Sequence, residues 1–191
     1  MEKVLGIIAE YNPFHKGHLY HLQKSKELTK SKYVVSIIGN NFSQRGDVSI
    51  LDKWNKTKLA LENGVDLVIE LPSIYSSSSA ENFASGAIKI LNSLGIVNYL
   101  SFGSESGDIE AFKDVSNLMN NYINEEENPF SIILKEALSE GNSYPKAMNI
   151  ALDKISNGRY LDFLSPNNIL GLEYIDSLHE LYSNITPITI K

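Results

Sequence analysis

An open, doubly wound parallel α/β sheet of about five strands with a helical insertion is the architecture this sequence predicts. Two patterns predict it. Short, continuously apolar runs recur along the chain, each too brief for a helix and apolar throughout, as strands buried on both faces are. Between them lie stretches with apolar residues at helical spacing, and strands that alternate with helices build parallel sheets wrapped on both sides. Right-handed crossovers then bring the loops after strands one, two and four to one edge.

Val4-Leu5-Gly6-Ile7-Ile8-Ala9 is the first strand. Pro13, without a ladder donor, stops it. From Leu19 the pattern turns helical, with Leu19, Leu22 and Leu28 apolar and Lys24, Lys26 and Glu27 polar. Asn12-Pro13-Phe14-His15-Lys16-Gly17-His18 therefore lies at a strand-to-helix turn. Unpaired N–H groups and the positive helix end favour an anion there, above all a phosphate. Gly17 lets a flat ring or a phosphate approach the backbone. His15 and His18 can donate N–H to phosphate oxygens and add positive charge when protonated. Beside an α-phosphate they would steady the charge that builds as an oxygen nucleophile attacks. Without their setting they are ordinary turn histidines. Zinc is the poorer alternative: His15, His18 and His21 are evenly spaced, but His15 precedes the helix and no cysteine helps.

Tyr33-Val34-Val35-Ser36-Ile37-Ile38 is the second strand, closed by Gly39. Asn40 to Asp47, with Gln44-Arg45-Gly46-Asp47, reads as a loop at a strand's carboxyl end, where open α/β sheets place ligands. Arg45 pairs with phosphate or a substrate carboxylate, or caps a neighbouring turn. Asp52 to Asn63 is a helix whose Lys53, Lys56 and Lys58 read as solvated surface. Asp66 to Leu71 is a third buried strand closed by Pro72; Glu70 in it must end at the site or meet a cation. Ser76-Ser77-Ser78-Ser79 leads into a helix with Ser79 as N-cap and Asn82 in its first turn, stopped by Gly95. Tyr99 to Gly103 is the fourth strand, running into Gly103-Ser104-Glu105-Ser106-Gly107-Asp108, which suits either close approach of a nucleotide or an ordinary turn. A helix follows from Ile109 to Tyr122, then an acidic solvated connector, Glu125-Glu126-Glu127. Pro129–Glu140 and Pro145–Ile155 are two further helices without strands between them, so about 109–160 reads as an insertion. Ser165 caps a long helix with Pro166 at its first position. Asn167 and Asn168 there either read a base or ribose, or cap the first turn. Thr186 begins the fifth strand.

Composition sets the outer bounds. The 191 residues, 42% hydrophobic and 21% charged, fit one globular domain. Absent cysteines exclude disulfides and thiolate metal sites. No apolar run approaches the roughly 20 residues that cross a bilayer, and the amino-terminal run is too short for a signal peptide. A cytoplasmic, soluble protein without membrane contact is expected. The net charge of −6 is not that of a surface gripping nucleic acid along its length.

The chain resembles the HIGH-type nucleotidyltransferase superfamily, and within it the tRNA(Met) cytidine acetate ligase family. The resemblance rests on Glu10-Tyr11-Asn12-Pro13-Phe14-His15-Lys16-Gly17-His18-Leu19-Tyr20-His21, Gln44-Arg45-Gly46, Lys53-Trp54, Gly64 to Pro72, Phe102-Gly103-Ser104-Glu105 and Pro166-Asn167-Asn168-Ile169-Leu170-Gly171. It implies a Rossmann-like domain over 1–191 that activates acetate with ATP, giving acetyl-adenylate and pyrophosphate. The acetyl group then passes to N4 of the wobble cytidine of elongator tRNA(Met). Carried onto this chain, Ile7, Ile8, Ala9, Glu10, Tyr11, Asn12, Pro13, Phe14, His15, Lys16, Gly17, His18, Leu19, Tyr20 and His21 would surround ATP. His15 and His18 would be the catalytic pair at its phosphates. Gly103 and an asparagine of the pair Asn167 and Asn168 would hold the adenosine part, and magnesium would ride on the triphosphate. Family members are much longer, with a Ser/Thr-rich motif ending in arginine after the fifth strand. The chain ends at Lys191, before that motif, so the part that grips tRNA is expected to lie outside it. A sibling that adenylylates a small phosphorylated cofactor precursor would share the His15–His18 turn but not need the Arg45 and Asn167 blocks. A non-catalytic ATP-binding module is the third reading.

Overall fold

The strands β1 (Val4–Ala9), β2 (Tyr33–Ile38), β3 (Leu67–Glu70), β4 (Tyr99–Gly103) and β5 (Thr186–Ile190) form one sheet in the order β3-β2-β1-β4-β5. Every pairing is parallel. The structure is a computed structural model and describes residues 2–123 and 128–191; the acidic run Glu125-Glu126-Glu127 lies outside the described residues. Helices α1 (Lys16–Thr29), α2 (Lys53–Glu62), α3 (Ser73–Ser76), α4 (Ala80–Ser93), α5 (Ile109–Ile123), α6 (Pro129–Ser139), α7 (Tyr144–Ile155) and α8 (Pro166–Glu180) fill the connections.

Alternation along β1 and β2 feeds two cores. Leu5, Ile7, Val34 and Ile38 pack with Leu22 of α1 and Ala60 of α2. Val4, Ile8, Val35 and Ile37 turn the other way, toward α4, α5 and α8. A continuous apolar run is what such a doubly covered strand requires. The chain passes from β1 to β2 on one side and returns through β4 on the other. The carboxyl end of β1 is thus the topological switch point, where the crevice of an open α/β sheet forms.

The expected caps are present: Ser79 accepts from the Asn82 N–H at 3.3 Å and Ser165 from Asn168 at 3.3 Å. Asp52, read from the sequence as the first residue of its helix, caps α2 instead, accepting from the Asn55 N–H at 2.8 Å. Four further expectations need correction. β3 is not buried on both faces, because it is an edge strand, with Leu67 44% exposed. Glu70 at its end accordingly meets Lys53 on the surface, Nζ to Oε2 at 2.7 Å. Helix α1 begins at Lys16 rather than Leu19, since His15 caps it. The short helix α3 follows Pro72, where only a serine-rich lead-in was legible. Finally, Lys56 is not on a solvated face: it is 1% exposed. Its ammonium donates to the Asn40 carbonyl and, at 3.3 Å, to the Ser49 hydroxyl. Burial pushes its pKa down, against the opposing pull of Glu10 and Glu70.

Candidate active site

The site is built where β1 gives way to α1. Tyr11, at φ 47, turns its ring inward and is 2% exposed. The ring packs against Phe14 and His18 at 4.9 and 5.0 Å, and Ser36 donates to its hydroxyl at 3.5 Å. An aromatic anchor of this kind fixes where the turn delivers the following residues.

Those residues form a reciprocal cap. The Gly17 N–H donates to His15 Nδ1 at 3.1 Å, and the His15 N–H donates to His18 Nδ1 at 3.3 Å. The two rings stack with centroids 3.7 Å apart and planes 21° apart. This is a capping box with imidazoles in place of hydroxyl and carboxylate. Its chemical consequence is a fixed tautomer. A ring nitrogen that accepts cannot carry the proton, so each neutral ring holds its hydrogen on Nε2, away from the backbone. Burial, with His15 and His21 nearby, lowers the pKa of His18 to about 4. At neutral pH His18 is therefore an uncharged N–H donor, not the positive charge the sequence suggested. Gly17 lies under the His15 ring, whose Cε1 would be 3.0 Å from an added Cβ; the flat group approaching this glycine is the chain's own imidazole.

Around this cap opens a cleft of about 500 Å³. Of the residues the sequence pointed to, Ile7, Ile8, Ala9, Glu10 and Tyr11 line it from the strand end. Gly17, His18, Tyr20 and His21 line it from α1, and Gly103 and Asn167 from the far side. Others lie off its wall. Asn12 lines a neighbouring compartment instead. His15 sits exposed behind His18, Lys16 is exposed, and Pro13, Phe14 and Leu19 are half-buried supports of the turn. His21 is tied down: its Nε2 bonds Ser101 Oγ at 3.0 Å, and Ser101 bonds Ser25 at 2.7 Å. Burial lowers its pKa, while a backbone bond at Phe102 opposes this.

The two asparagines separate. Asn168 is 3% exposed and donates from Nδ2 to the Phe163 carbonyl at 2.8 Å, a structural role. Asn167 is exposed in the cleft, its Nδ2 3.4 Å from Glu105 Oε1. Leu170 and Tyr174 also line the cleft and were not singled out from the sequence. They follow Asn167 at helical spacing, so the face of α8 that carries Asn167 was the available signal.

A second compartment of about 420 Å³ adjoins the first and shares Ile8, Ala9, Glu10, Asn167, Leu170 and Tyr174 with it. Its outer wall is the loop after β2, with Ser43, Gln44, Arg45 and Asp47. Two side chains from the first turn hold that loop: Glu10 Oε1 accepts the Gln44 N–H at 2.5 Å and Asn12 Oδ1 accepts the Ile50 N–H at 2.7 Å. Arg45 is exposed and forms no ion pair among the described residues. The three loops named from the sequence, after β1, β2 and β4, do share one edge of the sheet. Among the described residues no group of three or more His, Cys, Asp or Glu side chains converges to hold a metal. No helix there is long and apolar enough to cross a membrane.

Comparison with known proteins gives one consistent answer. The family model HIGH Nucleotidyl Transferase matches residues 1–191. The chain is 50% identical over 190 residues to the tRNA(Met) cytidine acetate ligase of Thermoanaerobacter sp. (strain X514), covering 98% of this chain and 46% of that protein. It is 53% identical over 189 residues to the enzyme of the same name from Caldicellulosiruptor saccharolyticus, covering 99% and 46%. The chain thus spans about half the length of the curated relatives it matches. Among solved structures it is similar to Thermotoga maritima TmcAL bound with alpha-thio ATP, with a TM-score of 0.84 at 38% identity, covering 99% of this chain and 46% of that one. The apo form of the same protein gives 0.86 at 39%, covering 99% and 45%.

Proposed function

The chain belongs to the HIGH nucleotidyl transferase family, and from that premise we propose that it is the ATP-binding part of an acetate–tRNA(Met) ligase. ATP occupies the larger cleft. An acetate oxygen attacks the α-phosphorus, a new O–P bond forms, and pyrophosphate leaves with the electron pair of the bond it had to that phosphorus. The acetyl-adenylate so formed acylates N4 of the wobble cytidine of elongator tRNA(Met).

The observation that supports this most is the stacked His15–His18 cap: both Nδ1 atoms are committed to the backbone, and the Nε2–H of His18, which lines the cleft, is left to donate. Preorganised donors at the point where phosphoryl charge develops are the main catalytic resource for such a step. Gly103 and Asn167 hold the adenosine end, magnesium is carried on the triphosphate oxygens, and the protein works in the cytoplasm. A relative named for the same ligase activity at 50% identity and a similar structure bound with an ATP analogue support the assignment.

Pyrophosphate release from ATP, measured with and without acetate, tests it. Release should require acetate rather than a phosphorylated nucleotide-like acceptor, and should fall at least about 100-fold in His18→Ala. Release that ignores acetate, or survives His18→Ala unchanged, counts against the reading.

A further inference from the structure

The second compartment has a chemistry of its own. Glu10 and Asp47 face it with the side chains of Asn12 and Gln44, and Phe83 and Tyr174 add aromatic surface. Its volume of about 420 Å³ exceeds what acetate needs. Four heavy atoms at roughly 30 Å³ each, the share of a water molecule, come to about 120 Å³. The eight heavy atoms of cytosine add about 240 Å³ on the same scale, so both reactants fit together. On its wall Arg45 suits the acetate carboxylate, and the two carboxylates suit an N–H donor. Asp and Glu accepting from the cytosine N4 amine is a recurrent way in which proteins read that base.

Of the side chains common to both compartments, Glu10 alone carries a carboxylate. The Gln44 N–H fixes its Oε1 at 2.5 Å, and its Oε2 makes no hydrogen bond among the described residues. A carboxylate is thereby oriented on the boundary between the nucleotide and whatever enters from the Arg45 side. Resting on the acetyl-transfer reading above, we propose that the second compartment receives a splayed-out cytosine and that Glu10 is the general base for its acylation. An anticodon-loop base is single-stranded, so only stacking has to be given up to reach such a slot.

The step balances without another reactant. The N4 lone pair attacks the acetyl carbonyl carbon and a C–N bond forms. The C–O bond to the adenylate breaks, and AMP leaves with its electron pair. The nitrogen, positive as it attacks, gives its proton to Glu10, which passes it to water.

The test uses Glu10→Gln, which keeps an oxygen for the Gln44 N–H and removes the base. Two probes are read: α,β-methylene-ATP, and an anticodon stem-loop with cytidine or uridine at the wobble position, bound in its presence. The unaltered protein should prefer cytidine about tenfold, since uridine offers an acceptor where cytidine offers an amine. Glu10→Gln should lose that preference and slow acetyl transfer about 100-fold, at least about tenfold more than it weakens α,β-methylene-ATP, whose cleft Glu10 also lines. Acetate-dependent pyrophosphate release should fall at least about tenfold less than acetyl transfer does. Glu10→Asp keeps the charge and should retain part of the preference, which guards against a misfolded amide variant. Equal binding of the two stem-loops by the unaltered protein, or an equal fall in both half-reactions, overturns the proposal. Failure of α,β-methylene-ATP to bind at all removes the acetyl-transfer reading itself, and this inference with it.

Discussion

The imidazole of His15 covers Gly17 so closely that a methyl group on Gly17 would lie 3.0 Å from His15 Cε1 and 3.1 Å from Nδ1. The ring is held there by the Gly17 N–H itself. One residue thus supplies both the hydrogen bond that orients the His15 ring and the empty space that the ring occupies. Gly17→Ala should push the ring off its cap at a cost of about 1 kcal/mol in stability, typical of a lost helix cap. Acetate-dependent pyrophosphate release should fall far more, by about 100-fold, because small misplacements of reacting groups are costly. Thermal unfolding and steady-state kinetics on the same sample check the pair of outcomes.

His18 ties stability to pH. Its folded-state pKa, about 4, lies below the ordinary value of 6.5. Between those values the unfolded chain binds the proton more readily, so stability rises with pH through that window and is lost as pH falls. Melting temperature followed from pH 7 to pH 4 should therefore drop. His18→Gln should flatten part of that slope, leaving the share of His21, whose pKa is lowered in the same direction. A slope identical in the variant would show that His18 titrates normally in the fold.

Asn167 and Asn168 should separate binding from stability. Asn168→Ala removes a buried hydrogen bond to the Phe163 carbonyl and should destabilise the protein by about 1–3 kcal/mol while leaving ATP affinity nearly unchanged. Asn167→Ala, exposed in the cleft, should do the reverse, weakening ATP about tenfold at constant melting temperature. Calorimetric titration and urea unfolding of both variants read the contrast.

Gly171 sets the distance of α8 from the sheet. A Cβ there would lie 2.6 Å from Phe112 Cε1 and 2.7 Å from Phe102 Cε2. Both rings are buried in the core, so neither can swing aside freely. Gly171→Ala should cost about 1–3 kcal/mol by overpacking. It should also weaken ATP, because Asn167, Leu170 and Tyr174 ride on the same helix. Urea denaturation and ATP titration provide the two numbers.

Much of this was open to reading because burial on both faces leaves a plain mark. β1, β2 and β4 stand within the apolar runs that announced them, and the caps Ser79 and Ser165 follow from side chains that can accept from a free helical N–H. β3 and Lys56 were misjudged for opposite reasons. The edge strand carries a core-like sequence but has no neighbour on one side. Lys56 looks like surface but finds a carbonyl and a hydroxyl waiting inside. Neither circumstance is local.

The sequence by itself determined the order of the strands and of every helix but the four-residue α3, and the place of the histidine turn, because hydrophobic period and capping chemistry act between near neighbours. Only the tertiary structure decided which nitrogen of each histidine is free, which asparagine faces the cleft, and that Glu10 stands between two compartments. Those outcomes depend on where distant segments meet, with Gln44 reaching Glu10 and Phe163 reaching Asn168. Side-chain direction at a site is set by partners that the chain brings together only when it folds.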